Sequence, residues 1–237
     1  MILKHFDINS GVYAFAEQGL QAAEHQHPAV ELLLVESGDV EICVKGQIYS
    51  NIKGCVIAPN VIHKVQGQQA KCEIWVLEKS LVSIPLPDTI RIQLQENGVA
   101  LLSEDAAAQF DKAFLEQLFS LPTFPEDWDQ RVIDCIQHIR NNITDSTLNR
   151  ASLSAEVHLS PSRLSHLFKA QTGTTLQNYI LWERLKYAIS QSLDQGINLL
   201  NAAYLAGFFD AAHFSRAFLK MFGVNPSSAY NSSILQI

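Results

Sequence analysis

Long apolar runs are missing from this chain of 237 residues: 47% of its residues are apolar, yet no run reaches the roughly 18–20 residues that cross a bilayer. A membrane span is excluded on that ground, and no membrane partner is expected. The first nine residues alternate apolar and polar side chains without the apolar stretch or small-residue cleavage site of a secretory leader, so a cytoplasmic location is expected. Cysteine is scarce and scattered. Cys43, Cys55, Cys72 and Cys135 stand 12, 17 and 63 residues apart, which excludes the close pairs of a zinc ribbon or redox motif and leaves reduced, mostly buried thiols. Charge is sparse as well, at 17% of residues, with 24 acidic against 17 basic side chains.

What is present suffices for one large or two ordinary domains. Residues 1–128 carry 8 Lys/Arg and 17 Asp/Glu, whereas residues 129–237 carry 9 and 7. One half repels polyanions and the other does not, as when a nucleic-acid module is joined to something else.

Hydrophobic periodicity divides the chain in the same place. Glu31–Glu36, Val40–Lys45, Gln47–Asn51, Cys55–Ala58 and Cys72–Leu77 are β-branched and aliphatic runs separated by glycine-containing turns, the pattern of a sandwich or small barrel. Residues 83–98, with Pro85 and Pro87, read as an irregular connection holding an edge strand near Ile90–Leu94. A single helix is predicted over Ser103–Leu121. Its Phe110, Phe114, Leu115, Leu118 and Phe119 are apolar on more than one side, which suits packing on its own barrel or against a second subunit in a homodimer. Pro122 and Pro125 end it, placing the domain boundary between residues 122 and 123.

The C-terminal half repeats itself. A shift of 50 residues lays Ser160–Phe168 on Asp210–Phe218 and Gly173 on Gly223. Each copy has an N-cap residue, an apolar residue four on, a Phe eight on and a Gly thirteen on that suits a helix C-terminus. A shorter apolar stretch and a tight turn precede each, giving helix-turn-helix motifs at about 149–172 and 199–222. Between them Thr175–Leu193 reads as one helix of roughly 28 Å. Successive major grooves on one DNA face lie about 34 Å apart, so such a rod can hold two recognition helices in adjacent grooves.

These motifs, Leu159–Lys169, Gly173, Tyr179, Arg184-Leu185, Gly207-Phe208, His213–Phe218, Phe222–Val224 and Pro226, resemble the DNA-binding domain of the AraC/XylS family of bacterial transcription regulators. The resemblance implies a leading helix over Trp128–Thr144, and promoter DNA and RNA polymerase as partners. Exposed residues near the N-terminal ends of the recognition helices are the candidates for DNA contact. They are Ser160, Ser162, Arg163, Ser165 and His166 in the first copy, and Ala212, His213, Ser215 and Arg216 in the second. Lys169, Arg184, Lys186 and Lys220 read as phosphate contacts or solvated surface.

In the N-terminal half, Gly19, His25, His27, Glu31 and Gly38 follow G-x5-H-x-H-x3-E-x6-G, and His63 supplies a third imidazole. Histidines two apart on a strand share a face, and three imidazoles with a carboxylate suit Zn²⁺, Ni²⁺, Fe²⁺ or Mn²⁺. The spacing resembles the first cupin motif. That resemblance, and the cupin-like sensor domains of AraC-type regulators, imply either a divalent ion or a small-molecule effector at these residues. Two function classes follow: a DNA-binding regulator with a ligand-sensing cupin-like barrel, which is not an enzyme, or a metal-dependent cupin dioxygenase or isomerase with an accessory helical domain. The expected architecture is α+β, a cupin-like barrel (1–122) with a linker helix followed by an all-α domain (123–237).

Overall fold

β-branched side chains fit a pleated, half-buried surface, and the runs rich in them form strands here. The computed structural model describes residues 2–78, 83–121, 124–145 and 147–227. It divides into two units, Met1–Thr123 together with Leu219–Ile237, and Phe124–Phe218. The boundary expected at Pro122 and Thr123 falls outside the described residues.

The first unit contains β1 (Ile2–Asp7), β2 (Val12–His25), β3 (Val30–Ser37), β4 (Glu41–Val44), β5 (Gln47–Tyr49), β6 (Gly54–Ile57), β7 (His63–Leu77) and β8 (Val99–Leu101). They form an antiparallel cupin-like barrel in the order β1-β2-β7-β3-β6-β8, with β4 pairing both β5 and β7. β7 is the spine, longer than the expected Cys72–Leu77 because its first half pairs with β2 and β4. β1 and β2, which the periodicity did not single out, lie along it. The register of β2 against β7 shifts around Gly19 and again before His25, which lands opposite His63.

Two expectations are corrected. Residues around Ile90–Leu94 form no strand: Asp88–Asn97 is helix α1, whose buried Ile90 and Leu94 are spaced i, i+4 on one face. Pro87 takes its N-cap position, where a missing N–H costs nothing. Ser103–Leu121 is also not one helix. It is α2 (Glu104–Ala107), α3 (Lys112–Gln117) and a 3₁₀ turn at Leu118–Ser120. Asp111 breaks it by starting a new helix, its carboxylate accepting the Phe114 N–H at 2.9 Å. Phe110, Leu115 and Leu118 join Val12, Leu32, Trp75 and Leu77 in the barrel core, so the apolar face is largely spent on its own domain.

The second unit is helical: α4 (Gln130–Asn141), α5 (Arg150–Glu156), α6 (Pro161–Thr172), α7 (Leu176–Gln195), α8 (Leu199–Leu205) and most of α9 (Ala211–Phe222). The side chains of Asp129, Asn149, Ser160, Thr175 and Asn198 each accept a main-chain N–H at the start of a helix. Val132, Ile136 and Ile139 of α4 pack with Leu153, Leu164, Phe168 and Tyr179 in one core. Lys186 is another correction. Rather than meeting solvent, it is buried, with Nζ 2.8 Å from Glu183 Oε2, and Arg140 Nε holds Glu183 Oε1 at 3.1 Å.

Candidate functional site

The barrel gathers the four residues of the His/Glu motif. β2 ends at His25, β7 begins at its cross-strand partner His63, and Glu31 is the second residue of β3. His27 lies in the connection between β2 and β3, so the two histidines do not share a strand, yet they still converge. All four side chains are buried, and one donor atom from each lies within 4.8 Å of all the others. The His25 and His63 ring centroids are 4.0 Å apart. Glu31 Oε2 lies 3.1 Å from His27 Nε2 and 3.4 Å from His63 Nε2.

The opposite nitrogen of each ring faces the main chain. His25 Nδ1 is 2.8 Å from Ala23 O, His27 Nδ1 3.1 Å from Ala29 O, and His63 Nδ1 2.8 Å from Val61 O. Burial, helped by the neighbouring His63, pushes His25 down to about 3 and keeps it neutral. Burial alone would raise Glu31, but the imidazoles of His63 and His27 outweigh it and hold the carboxyl well below its usual range. His63 goes the other way: burial lowers it, and the Glu31 carboxylate overcomes that and raises it. The cluster thus sets one carboxylate among three imidazoles, with Glu31 Oε2 against Nε2 of both His27 and His63.

The helical repeat is structural as well as sequential. Gly173 and Gly223 both have left-handed φ, 71° and 68°, and donate their N–H groups to Lys169 O and Leu219 O, each at 2.9 Å. At the other end Ser160 Oγ accepts the Arg163 N–H and Asp210 Oδ1 the His213 N–H. Residues from both copies line one cleft of about 730 Å³: Ser165 and Lys169 of α6, His213 of α9, Arg150 of α5, and Gln177 and Arg184 of α7.

A helix-turn-helix domain family model matches residues 153–231. The arabinose operon regulatory protein of Salmonella typhimurium is 36% identical over 99 residues, covering 42% of this chain and 35% of that protein. Residues 153–231 are an AraC-type helix-turn-helix domain. The chain spans about a third of the length of such arabinose regulators. The activator RhaS of Mannheimia succiniciproducens is 24% identical over 234 residues, 86% of this chain and 87% of that one. In fold, the chain is similar to an apo form of ToxT of Vibrio cholerae, with a TM-score of 0.65 at 14% identity, covering 98% of this chain and 100% of that one. ToxT with a bound unsaturated fatty acid gives 0.58 at 13%, covering 95% and 97%.

Within the AraC-type domain, Ser160, Ser162, Arg163, His166 and Lys169 are exposed on α6 and Ser165 is half-buried, its hydroxyl donating to Pro161 O. On α9, Ala212 and Arg216 are exposed, while His213 and Ser215 are half-buried and the His213 ring packs 5.2 Å from that of Phe208. Arg184 is less free than expected: half-buried, its guanidinium reaches Asp145 O, and burial lowers its pKa. Lys220 is exposed in the last turn of α9, the end remote from the N-cap, and that turn belongs to the first unit. Arg150 was missed. Its signal was available, since it is the first residue after the Asn149 cap of the shorter helix.

Proposed function

We propose that this chain is a sequence-specific DNA-binding transcription regulator of the AraC type, whose cupin-like barrel binds the controlling ligand. The observation that carries the reading is the pair of capped, glycine-terminated recognition helices with side chains from both on one cationic cleft. The 20 residues of α7 make a rod of about 30 Å, close to the ~34 Å between adjacent major grooves. Arg163, exposed in the first turn of α6, suits bidentate reading of guanine, and Lys169, Arg150 and Arg184 suit phosphates. Promoter DNA and RNA polymerase are the partners this reading implies, and a homodimer belongs to it as well. A small-molecule effector fits the fold's precedent, ToxT having been seen with an unsaturated fatty acid.

Selection of duplexes by the full chain from a random pool, followed by footprinting, tests the reading. An asymmetric site of about two helical turns is expected; a footprint confined to one groove, or no enrichment, overturns it. Arg163→Ala is expected to relax preference at one base pair and cost about 1–3 kcal/mol, whereas Lys169→Ala weakens all sequences alike. The His/Glu cluster favours a second reading, a cupin dioxygenase or isomerase. Turnover by a chain that selects no DNA would establish it.

A further inference from the structure

We infer that the second recognition helix, α9, reads a thymine methyl group, and that Phe209 is the residue that sets this preference. The inference deepens the DNA-binding reading and rests on it. The 50-residue repeat lays Phe209 on Leu159, each one residue before the N-cap of its recognition helix. Their surroundings differ. Leu159 is half-buried and packs against the core that holds Leu164 and Phe168, with His158 exposed before it. In the second copy the order is reversed. Phe208 goes inside, 3% exposed, with its ring 5.3 Å from that of Phe214 and its N–H donated to Ala203 O at 3.1 Å. Phe209, turned outward by its neighbour, is 88% exposed, the most exposed large apolar residue among those described. It stands at the end of the helix that enters a major groove.

The first turn of α9 continues this apolar end. Ala212, exposed, stands where the first copy has Ser162. Polar side chains are poorly placed beside it: His213 and Ser215 are half-buried, and the exposed Arg216 comes one turn later. A base pair offers such a surface one apolar group in the major groove, the C5-methyl of thymine, and phenylalanine and alanine are side chains that contact it. Covering that methyl removes apolar surface of both partners from water. A phosphate contact does not suit Phe209, whose ring has no hydrogen-bond donor. Wedging between base pairs does not suit it either, since apolar wedges work from the minor groove. The two copies then read unlike half-sites, Arg163 taking guanine and Phe209 with Ala212 taking thymine.

The test uses the full chain and the duplex it selects from a random pool. The base pair whose preference Arg163→Ala relaxes marks the half-site of α6, and the other half-site belongs to α9. A preferred thymine is expected there. Replacing it by deoxyuridine, which lacks only the C5-methyl group, changes the DNA and leaves the protein intact. Wild-type binding is expected to weaken about fourfold, the worth of one buried methyl group. Phe209→Ala, at an exposed position, is expected to keep the wild-type melting temperature and to bind the thymine and deoxyuridine duplexes equally. If that variant fails to fold, the deoxyuridine comparison with wild type still decides. A half-site of α9 without a preferred thymine, or one that takes deoxyuridine without loss, overturns the inference and leaves the DNA-binding reading standing. So does a folded Phe209→Ala chain that discriminates as well as wild type, which places the methyl contact on another residue. A pool that shows no enrichment overturns both.

Discussion

Replacing Lys186 by Met tests how the AraC-type domain holds its central helix. The Lys186 ammonium and the Glu183 carboxylate lie 2.8 Å apart, with side chains 2% and 7% exposed. At an effective dielectric of about 20 the pair attracts by about 6 kcal/mol. Much of this offsets the desolvation of the two charges, and the part that matters on substitution is the anion left behind. Breaking a buried pair from one side costs about 3–5 kcal/mol. Arg140 still holds the other Glu183 oxygen at 3.1 Å, so the lower end, about 3 kcal/mol, is expected. Denaturation of the full chain followed by helical circular dichroism reads this out, since α4–α8 are all helix. Lys186→Met/Glu183→Leu, which removes both charges, is expected to recover most of the loss. A single substitution within about 0.5 kcal/mol of wild type would refute the reasoning. The pH dependence has a definite sign. Burial would raise Glu183, but Lys186 and Arg140 hold it below its ordinary 4.5. A carboxyl lowered in the folded state stabilises above its unfolded pKa, and that contribution fades as pH falls through the folded value. The gap between wild type and Glu183→Gln is therefore expected to be full at neutral pH and to close on acidification below about 4.5.

Ser160→Ala removes the acceptor for the Arg163 N–H and is expected to cost about 1 kcal/mol in thermal unfolding, with Ser160→Gly costing only a few tenths. Gly38→Ala combines a φ of 82° with a Cβ 2.8 Å from Ala70 Cα, whereas Gly46 has a similar φ and open space around it. The alanine at 38 is expected to destabilise more than the one at 46, and equal losses would show that the backbone there yields. Leu118→Ala, at a fully buried position, is expected to cost about 2–5 kcal/mol. Phe119 is 38% exposed beside His5, so Phe119→Glu is expected to cost less, and sedimentation of both proteins shows whether it also dissociates a dimer.

The helical half is legible because its signals are local. A cap residue, an apolar residue four on and a glycine thirteen on specify a helix within a dozen residues, and the motif bounds at 172, 199 and 222 coincide with helix ends. The barrel depends on pairing between distant segments. His25 and His63 are neighbours only because β2 and β7 pair across 38 residues with two register shifts, which no window on the chain contains. The ligand-like spacing is visible in the sequence, but its cause is not two histidines on one strand, since His27 lies beyond the end of β2. α1 reads as a strand because Pro85 and Pro87 mask the i, i+4 spacing just after them. Lys186 reads as a surface residue because a lysine looks alike in sequence whether it meets water or Glu183.

The three imidazoles of the barrel are each held at Nδ1 by a main-chain carbonyl, those of Ala23, Ala29 and Val61. A substitution at those positions exchanges a methyl or an isopropyl group and leaves the oxygen where it was. That part of the orientation is inherited with the path of the main chain and not with the identity of the side chain at 23, 29 or 61. Glu31 is then the position of greatest leverage, since it is the one carboxylate of the cluster and meets two of the three rings.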